Sequence, residues 1–219
     1  VREHLESVRP SNDAATGVSE LMEAFGLSSL AEADVGRLSQ GERSRLAVAR
    51  ALCSDPEVLV MDEPLVHVDP ASLDEYWRTI REHCRRRETS LVFSTHAPDV
   101  VLREAERVIC LDEGRVSFEG KVTTLYEHPP TPRLARLLGP ANWFTESDAA
   151  CWLMPDEPPL AGLCLRPEHV EVIPVEGEGL RVHESRRVGG IVESELEHEP
   201  SGERRTIVHR PGRECMAAG

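Results

Sequence analysis

The segment Val58-Leu59-Val60-Met61-Asp62-Glu63-Pro64 places four apolar residues directly before an acidic pair and a proline. Such a run is typical of a strand in a parallel sheet, and we expect it to be buried on both faces. A similar run, Ser90-Leu91-Val92-Phe93-Ser94, follows after apolar positions at helical spacing from Leu73 to Cys84. Strand, helix and strand in this order predict a βαβ unit, and therefore an α/β fold.

Further elements flank this unit. Apolar positions at helical spacing predict a short helix over residues 17–27 and another over residues 43–53, which Asp55-Pro56 ends. After the βαβ unit, the sequence predicts a helix over residues 101–106 and a hairpin around Glu113-Gly114.

The sequence changes in character beyond Pro140, where short apolar segments alternate with Gly, Pro and Glu. This spacing predicts a small all-β domain. Its expected strands cover residues 162–165, 170–173, 180–182, 191–196 and 206–209. We therefore expect an α/β domain with a helical subdomain over residues 1–139 and a β domain over residues 140–219.

The composition excludes several classes of function. Lys and Arg number 25 against 39 Asp and Glu, a net charge of −14, so the chain lacks the basic surface that a nucleic-acid partner requires. No apolar run approaches the roughly 18 residues that would span a bilayer. The six cysteines are scattered without a CxxC pair, which argues against a metal cluster or a disulfide framework.

The acidic pair is the first candidate for chemistry, because ligands of α/β sheets gather at the carboxyl ends of the strands. A buried, unpaired carboxylate there would cost several kcal/mol, so a cation is a natural partner. We expect Asp62 to hold Mg²⁺, directly or through water, and Glu63 to orient or deprotonate a water that attacks a phosphoryl group. The alternative is that the pair simply begins a loop.

His96 is the second candidate. It follows the second expected strand, so a parallel pairing would bring it to the same edge as Asp62. There it could donate a hydrogen bond to a terminal phosphate. The alternative is an ordinary loop histidine.

The segment Leu38-Ser39-Gln40-Gly41-Glu42 directly precedes a helix. Its backbone N–H groups and the helix macrodipole would favour an anion at this tip. Ordinary capping is the alternative, with Ser39 as N-cap and Glu42 completing a capping box. Both can hold for the same helix start.

Four motifs in this order resemble those of ABC-transporter ATPases. Leu38 to Arg45 resembles the family's signature motif, commonly Leu-Ser-Gly-Gly-Gln, and Val58 to Pro64 resembles its Walker B strand. Asp69 falls at the position of the D-loop aspartate and His96 at that of the switch histidine. The joint match in order and spacing is much more specific than any single motif.

The resemblance implies an ABC-type ATPase that uses ATP and Mg²⁺. Asp62 would be the metal residue, and Glu63 and His96 would be catalytic. The residues implied in nucleotide binding are Ser39, Gln40, Gly41, Glu42 and Asp69. Because the family pairs two ATPase subunits head to tail, the signature segment would contact ATP held by a second subunit. Gln40 replaces the usual Gly and Glu42 the usual Gln.

The resemblance extends to importer subunits. Leu125 to Pro129, Leu138-Gly139 and Asn142 resemble the segment that follows the ATPase domain in such subunits. Arg166 to Val170 resembles the Arg-Pro-Glu signature of a TOBE domain, a small OB-like β-barrel. This implies a subunit that works with transmembrane permease subunits, as a homodimer, at the cytoplasmic face of the plasma membrane.

One family motif is missing. A P-loop needs Gly, four residues, Gly, Lys and then Ser or Thr. The only lysine, Lys121, does not lie in this pattern. Family members carry the P-loop upstream of the signature, so we expect that Val1 begins beyond it and that the chain is inactive alone.

Three functions are compatible with these motifs. The leading hypothesis is the ATP-hydrolysing subunit of an importer. The second is a non-catalytic remnant whose β domain senses a ligand or a protein, and the third is a soluble ABC-type ATPase acting in translation or DNA repair. In an importer, the helical segment from Val18 to Ala31 would contact a membrane partner, although its apolar face could equally be core.

Overall fold

The computed structural model describes residues 1–8, 17–153, 162–172 and 179–212. Its internal contacts divide the chain into two compact units, Val1–Ala97 and Pro98–Gly219. The elements of the first unit are α1 (Arg2–Glu6), α2 (Val18–Ala24), α3 (Gln40–Cys53), β1 (Val58–Asp62), α4 (Pro70–Arg87) and β2 (Ser90–Ser94).

The βαβ unit is confirmed. Strands β1 and β2 pair in parallel, in a register that sets Asp62 opposite Ser94, and α4 connects them. The ring of Trp77 in α4 packs against that of Phe93 in β2, with 4.8 Å between centroids. One face of the two-stranded sheet therefore packs on α4.

The expected burial of the first strand on both faces is wrong for the described residues. Leu59 and Met61 are buried, whereas Val60 is 71% exposed and Val92, opposite it, is 55% exposed. An unbroken apolar run contains no polar residue to mark an uncovered face, so the sequence pattern could not separate the two cases.

The apolar face of the helical region is core. Its buried members are Val18, Leu21, Met22, Phe25 and Leu27. Arg45 of α3 fastens the end of α2 by donating to the carbonyl oxygens of Phe25, at 2.8 Å, and Gly26, at 3.1 Å. Only polar side chains of α2, such as Glu20 and Glu23, are exposed.

The second unit begins with α/β elements. They are α5 (Pro98–Glu104), β3 (Arg107–Asp112), β4 (Arg115–Lys121), α6 (Val122–Glu127) and α7 (Pro132–Leu137). Strands β3 and β4 form the predicted antiparallel hairpin. Its turn places Glu113 and Gly114 at φ values of +47° and +73°, which explains the glycine.

The C-terminal part is rich in β structure, but it is not all-β. It contains β5 (Asn142–Phe144), α8 (Glu146–Trp152), β6 (Leu163–Leu165), β7 (Leu180–Val188), β8 (Ile191–His198) and β9 (Glu203–His209). A Thr145–Asp148 capping box starts α8, a local signal that the strand pattern obscured. The strand expected over residues 170–173 is not formed at 170–172, and Ile173 lies outside the described residues. An OB-like barrel stays a prediction.

Arg166 joins the two parts of this unit. Its side chain is buried, at 2% exposure, and its guanidinium donates to the carbonyl oxygens of Tyr126, Ala135, Gly139 and Pro140 at 3.0 to 3.2 Å. Residues 126–140 therefore pack together with the β-rich region, and the compact units divide at Ala97 rather than Gly139. The division of the chain into domains at residues 139 and 140 stays a prediction.

No helix within the described ranges is long and apolar enough to cross a membrane. The five cysteines in these ranges are free thiols, and Cys215 lies outside them.

His83 of α4 makes the stability of the first unit dependent on pH. It is 1% exposed, and neither ring nitrogen has a hydrogen-bond partner among the described residues. Burial lowers its pKa, so the unfolded chain binds this proton more readily than the folded one. We expect stability to fall as the pH drops from about 6.5 toward the lowered pKa.

This effect can be measured by urea unfolding at about pH 7.5 and about pH 5.5. His83→Leu should lose a smaller part of its stability between the two conditions than the wild type. An equal loss in both proteins would contradict a role for His83.

Candidate active site

The candidate site lies at the carboxyl ends of β1 and β2. Because the strands are parallel and Asp62 is opposite Ser94, the residues that follow each strand emerge at the same edge. Glu63 continues the pairing, since its N–H donates to the carbonyl oxygen of Ser94 at 3.1 Å. Asp62, Glu63 and His96 are thus neighbours, as the parallel pairing predicted.

Glu63 and His96 are in direct contact. His96 Nδ1 lies 2.7 Å from Glu63 Oε1, and the imidazole is 78% exposed against 37% for the carboxylate. A carboxylate can only accept, so Nδ1 carries the hydrogen and Nε2 remains for another partner. The hydrogen bond and the charge of Glu63 raise the pKa of His96, which favours the imidazolium with a donor at Nε2.

Ser94 also belongs to this edge. Its hydroxyl donates to Asp62 Oδ1, and the Glu63 N–H is 3.2 Å from Ser94 Oγ. The sequence pattern assigned Ser94 only to the end of a strand. The available signal was its register opposite Asp62, which needs the pairing of the two strands.

The donor set at Asp62 is compatible with Mg²⁺. Magnesium prefers hard oxygen ligands and commonly uses only one or two carboxylates, with water and phosphate oxygens completing the shell. Asp62 is exposed and offers carboxylate oxygens beside the Ser94 hydroxyl. The described residues contain no cluster of three or more His, Cys, Asp or Glu suited to a metal. A site built here by protein alone would therefore be incomplete.

Asp69 has a structural role in the chain. It caps α4 by accepting the N–H of Ala71 at 3.2 Å. The loop from Glu63 to Asp69 is anchored by Leu65, which is buried and has φ = +62°. A contact of Asp69 with nucleotide stays a prediction.

The tip of α3 is capped by its own side chains. Ser39 N–H donates to Glu42 Oε2 at 2.7 Å, and Glu42 N–H donates to Ser39 Oγ at 3.3 Å. These hydrogen bonds lower the pKa of Glu42, so a carboxylate remains at the tip. Only Gln40 and Gly41 N–H groups remain without intrahelical partners in this turn, as at any helix start. The capping interpretation is therefore right, and anion binding at this tip stays a prediction.

Gly41 lies against the loop that follows the acidic pair. A Cβ at this position would come within 2.7 Å of the carbonyl oxygen of His67. A backbone oxygen cannot turn away as a side chain can, so the close approach requires glycine whether or not an anion binds here.

Gly41→Ala is expected to destabilise the ligand-free chain by about 1 to 3 kcal/mol, as overpacking does. A purely helical effect would have the opposite sign, since Ala is preferred over Gly by roughly 0.5–1 kcal/mol. Urea unfolding measures the difference, and Gln40→Ala, at the neighbouring exposed position, is the control. A stabilised Gly41→Ala protein would contradict the packing argument.

The candidate site thus combines an acidic pair at the end of one parallel strand, a histidine that follows the neighbouring strand and a capped helix start, the three features that the sequence compared with ABC-transporter ATPases. Comparison with known proteins agrees. Residues 1–66, which include Ser39–Glu42 and Asp62–Glu63, match the family model described as "ABC transporter". The match does not extend to Asp69 or His96.

Curated relatives are import ATP-binding proteins. A sulfate/thiosulfate import ATP-binding protein of Methylococcus capsulatus is 32% identical over an alignment of 200 residues that covers 86% of this chain and 58% of that protein. An Fe(3+) ions import ATP-binding protein of Rhizobium meliloti is 34% identical over 141 residues, 64% of this chain and 36% of its own length. The chain thus spans about a third to a little over half of these relatives.

A solved ATP-binding subunit of an ABC transporter shares the fold, with a TM-score of 0.50 and 20% identity over 64% of this chain and 57% of that one. These findings confirm the resemblance to ABC-transporter ATPases and the mixed α/β fold class. Over most of its length the chain is therefore similar to the ATP-binding proteins of ABC transporters.

Proposed function

We propose that this chain is the ATP-binding and ATP-hydrolysing subunit of an ABC importer, coupling hydrolysis to solute uptake through membrane permease subunits. The observation that carries the proposal is the contact of Glu63 with His96, at 2.7 Å, beside Asp62 at the end of the parallel strands. The names of the import ATP-binding relatives support the direction of transport.

Each residue of the edge has a role in the proposed reaction. Glu63 takes the proton of the attacking water as general base, and His96 donates from Nε2 to a terminal phosphate oxygen. Asp62 holds Mg²⁺, which would neutralise developing phosphate charge. The raised pKa of His96 supports the donor role, because the imidazolium persists to higher pH.

A second ATPase subunit contributes its signature tip to the proposed site. Residues 1–219 contain no phosphate-cradling Gly-rich loop, so the reaction requires residues outside this sequence. In a head-to-tail homodimer, the Ser39–Gly41 tip contacts ATP held by the partner, and Asp69 lies at the same interface. Glu42 weakens this contact relative to a glutamine, since its carboxylate stands at the tip.

The permease contact is proposed for α2, at the cytoplasmic face of the membrane. The apolar face of α2 is used in the core, so the contact must involve its exposed polar side. Glu20 and Glu23 are the charged residues on that side, and basic side chains on a permease segment would complement them.

Co-purification tests the proposal and separates it from an ATPase of translation or DNA repair. The tagged protein should retain integral membrane subunits rather than ribosomes or DNA. Glu20→Lys should lower the recovery of these subunits, while Glu82→Lys, an exposed change on α4, should not. Recovery of ribosomes or DNA alone would refute the importer assignment.

A ligand-sensing β region is the second candidate, and one cavity favours it. The cavity measures about 310 Å³ and is lined by Arg136, Trp143 and Arg205, with Asp148 paired to Arg205 at 3.1 Å. The volume is at the lower end of the range for small-molecule pockets. NMR titration with carboxylates and inorganic oxyanions would test it, with Arg136→Met against Arg133→Met, which lies outside the lining. Tight ATP binding by the 219-residue chain would count against a purely sensory role.

A further inference from the structure

We propose that Ser94 is a positioning residue that fixes both members of the acidic pair. This inference rests on the proposed function, because it concerns the same edge of the sheet. Ser94 is the register partner of Asp62 and directly precedes the segment that carries His96. Neither the motifs nor the relatives assign it a role.

The hydroxyl of Ser94 both donates and accepts a hydrogen bond. It must donate to Asp62, since a carboxylate offers no hydrogen, and it accepts from the backbone N–H of Glu63 at 3.2 Å. One small side chain thus contacts the carboxylate proposed to hold Mg²⁺ and the backbone of the proposed general base. The contact with Asp62 Oδ1 leaves both lone pairs of Oδ2 free of Ser94.

Glu63 needs this support because its backbone is in the left-handed region, at φ = +46°. Residues other than Gly adopt this backbone conformation only at an energetic cost. The N–H of Glu63 is held twice from Ser94, by the carbonyl oxygen at 3.1 Å and by Oγ. In this held conformation, the Glu63 side chain reaches His96.

Ser90 provides a matched comparison within the same strand. It lies four residues earlier on the same exposed face of β2, opposite Val58. Its hydroxyl makes no hydrogen bond within the described part of the chain. A serine on this face of β2 therefore does not form a hydrogen bond to β1 merely because it lies there.

The experiment compares three variants with the wild-type chain by amide hydrogen exchange in NMR. Ser94→Thr keeps the hydroxyl, Ser94→Val has nearly the same shape without it, and Ser90→Val controls for a valine on this face. We expect the Glu63 amide to exchange about fivefold faster in Ser94→Val, the factor for losing one ordinary hydrogen bond. Ser94→Thr and Ser90→Val should match the wild type.

Turnover in an ATP-hydrolysing preparation supplies the second measurement. Ser94→Val should lower kcat about tenfold, with a smaller change in the KM for ATP, because Asp62 and Glu63 stay in place and lose only the contact that orients them. Ser94→Thr should restore the rate.

Unchanged exchange in Ser94→Val, or Thr and Val variants that behave alike, would overturn the role of the hydroxyl. No ATP hydrolysis in any preparation of the wild-type protein, together with faster exchange of the Glu63 amide in Ser94→Val, would refute the proposed function and leave the positioning contact standing.

Discussion

Glu63→Gln is expected to lower the turnover of any ATP-hydrolysing preparation of this protein by about 10² to 10⁴, the usual contribution of a general base. Glutamine keeps the size of the side chain and can still contact His96, but its amide cannot take a proton from water. Nucleotide affinity should change much less than kcat, since the amide keeps the shape of the site and removes a negative charge near the phosphates.

Glu88→Gln is the matched control for this substitution. Glu88 is exposed and has φ = +55°, close to the +46° of Glu63, but it lies at the C-terminal end of α4. It should therefore leave turnover unchanged. Steady-state phosphate release measures both variants, and a Glu63→Gln protein with wild-type kcat would remove Glu63 from the proposed mechanism.

Arg166→Met is expected to destabilise the second unit by about 3 to 5 kcal/mol. The substitution leaves four carbonyl oxygens, those of Tyr126, Ala135, Gly139 and Pro140, without their charged donor. Buried acceptors without partners cost roughly 1 to 3 kcal/mol each, although local relaxation returns part of this. The stack of the guanidinium on the Tyr126 ring, at 4.1 Å, is also lost.

Thermal unfolding of the chain would measure this loss as a Tm lower by about 10 °C or more. Arg166→Lys should be intermediate, because an ammonium keeps the charge but not the planar fork of donors. Arg115→Met, an exposed change in β4, should stay within roughly 0.5 kcal/mol of the wild type. A Tm near that of the wild type in Arg166→Met would show that the carbonyl cluster does not need its cation.

The fold was predictable where local pattern and packing agree. Apolar runs of strand length on either side of a helical stripe predicted β1, α4 and β2, and the Glu113-Gly114 pair predicted the hairpin. The capping box at α8 showed that a short helix can interrupt a β-rich region when its N-terminal signal is strong. Exposure of the Val60 face was not predictable, because it depends on what packs there and not on the run itself.

The candidate site was predictable as far as strand direction allows. Parallel pairing follows from the βαβ order, so the sequence predicted His96 at the same edge as Asp62. The direct contact of His96 with Glu63 was not predicted, because it depends on the path of the loop after each strand. The contacts of Ser94 could be predicted only from the register of the two strands. The packing of Gly41 against the carbonyl oxygen of His67 could be predicted only from the path of a loop that contains two left-handed residues. Arg166 was chosen only as part of a motif, while its carbonyl partners lie 26 to 40 residues away.

The left-handed backbone at Glu63 means that stability and the proposed chemistry favour different residues at this position. Glycine would adopt φ = +46° without steric penalty, whereas any other residue lowers the free energy of unfolding there by about 1 to 2 kcal/mol. A search for thermostable variants would therefore enrich the substitution Glu63→Gly, and each such gain would delete the carboxylate opposite His96. Stability screens on this protein would select against the residue on which its proposed activity depends.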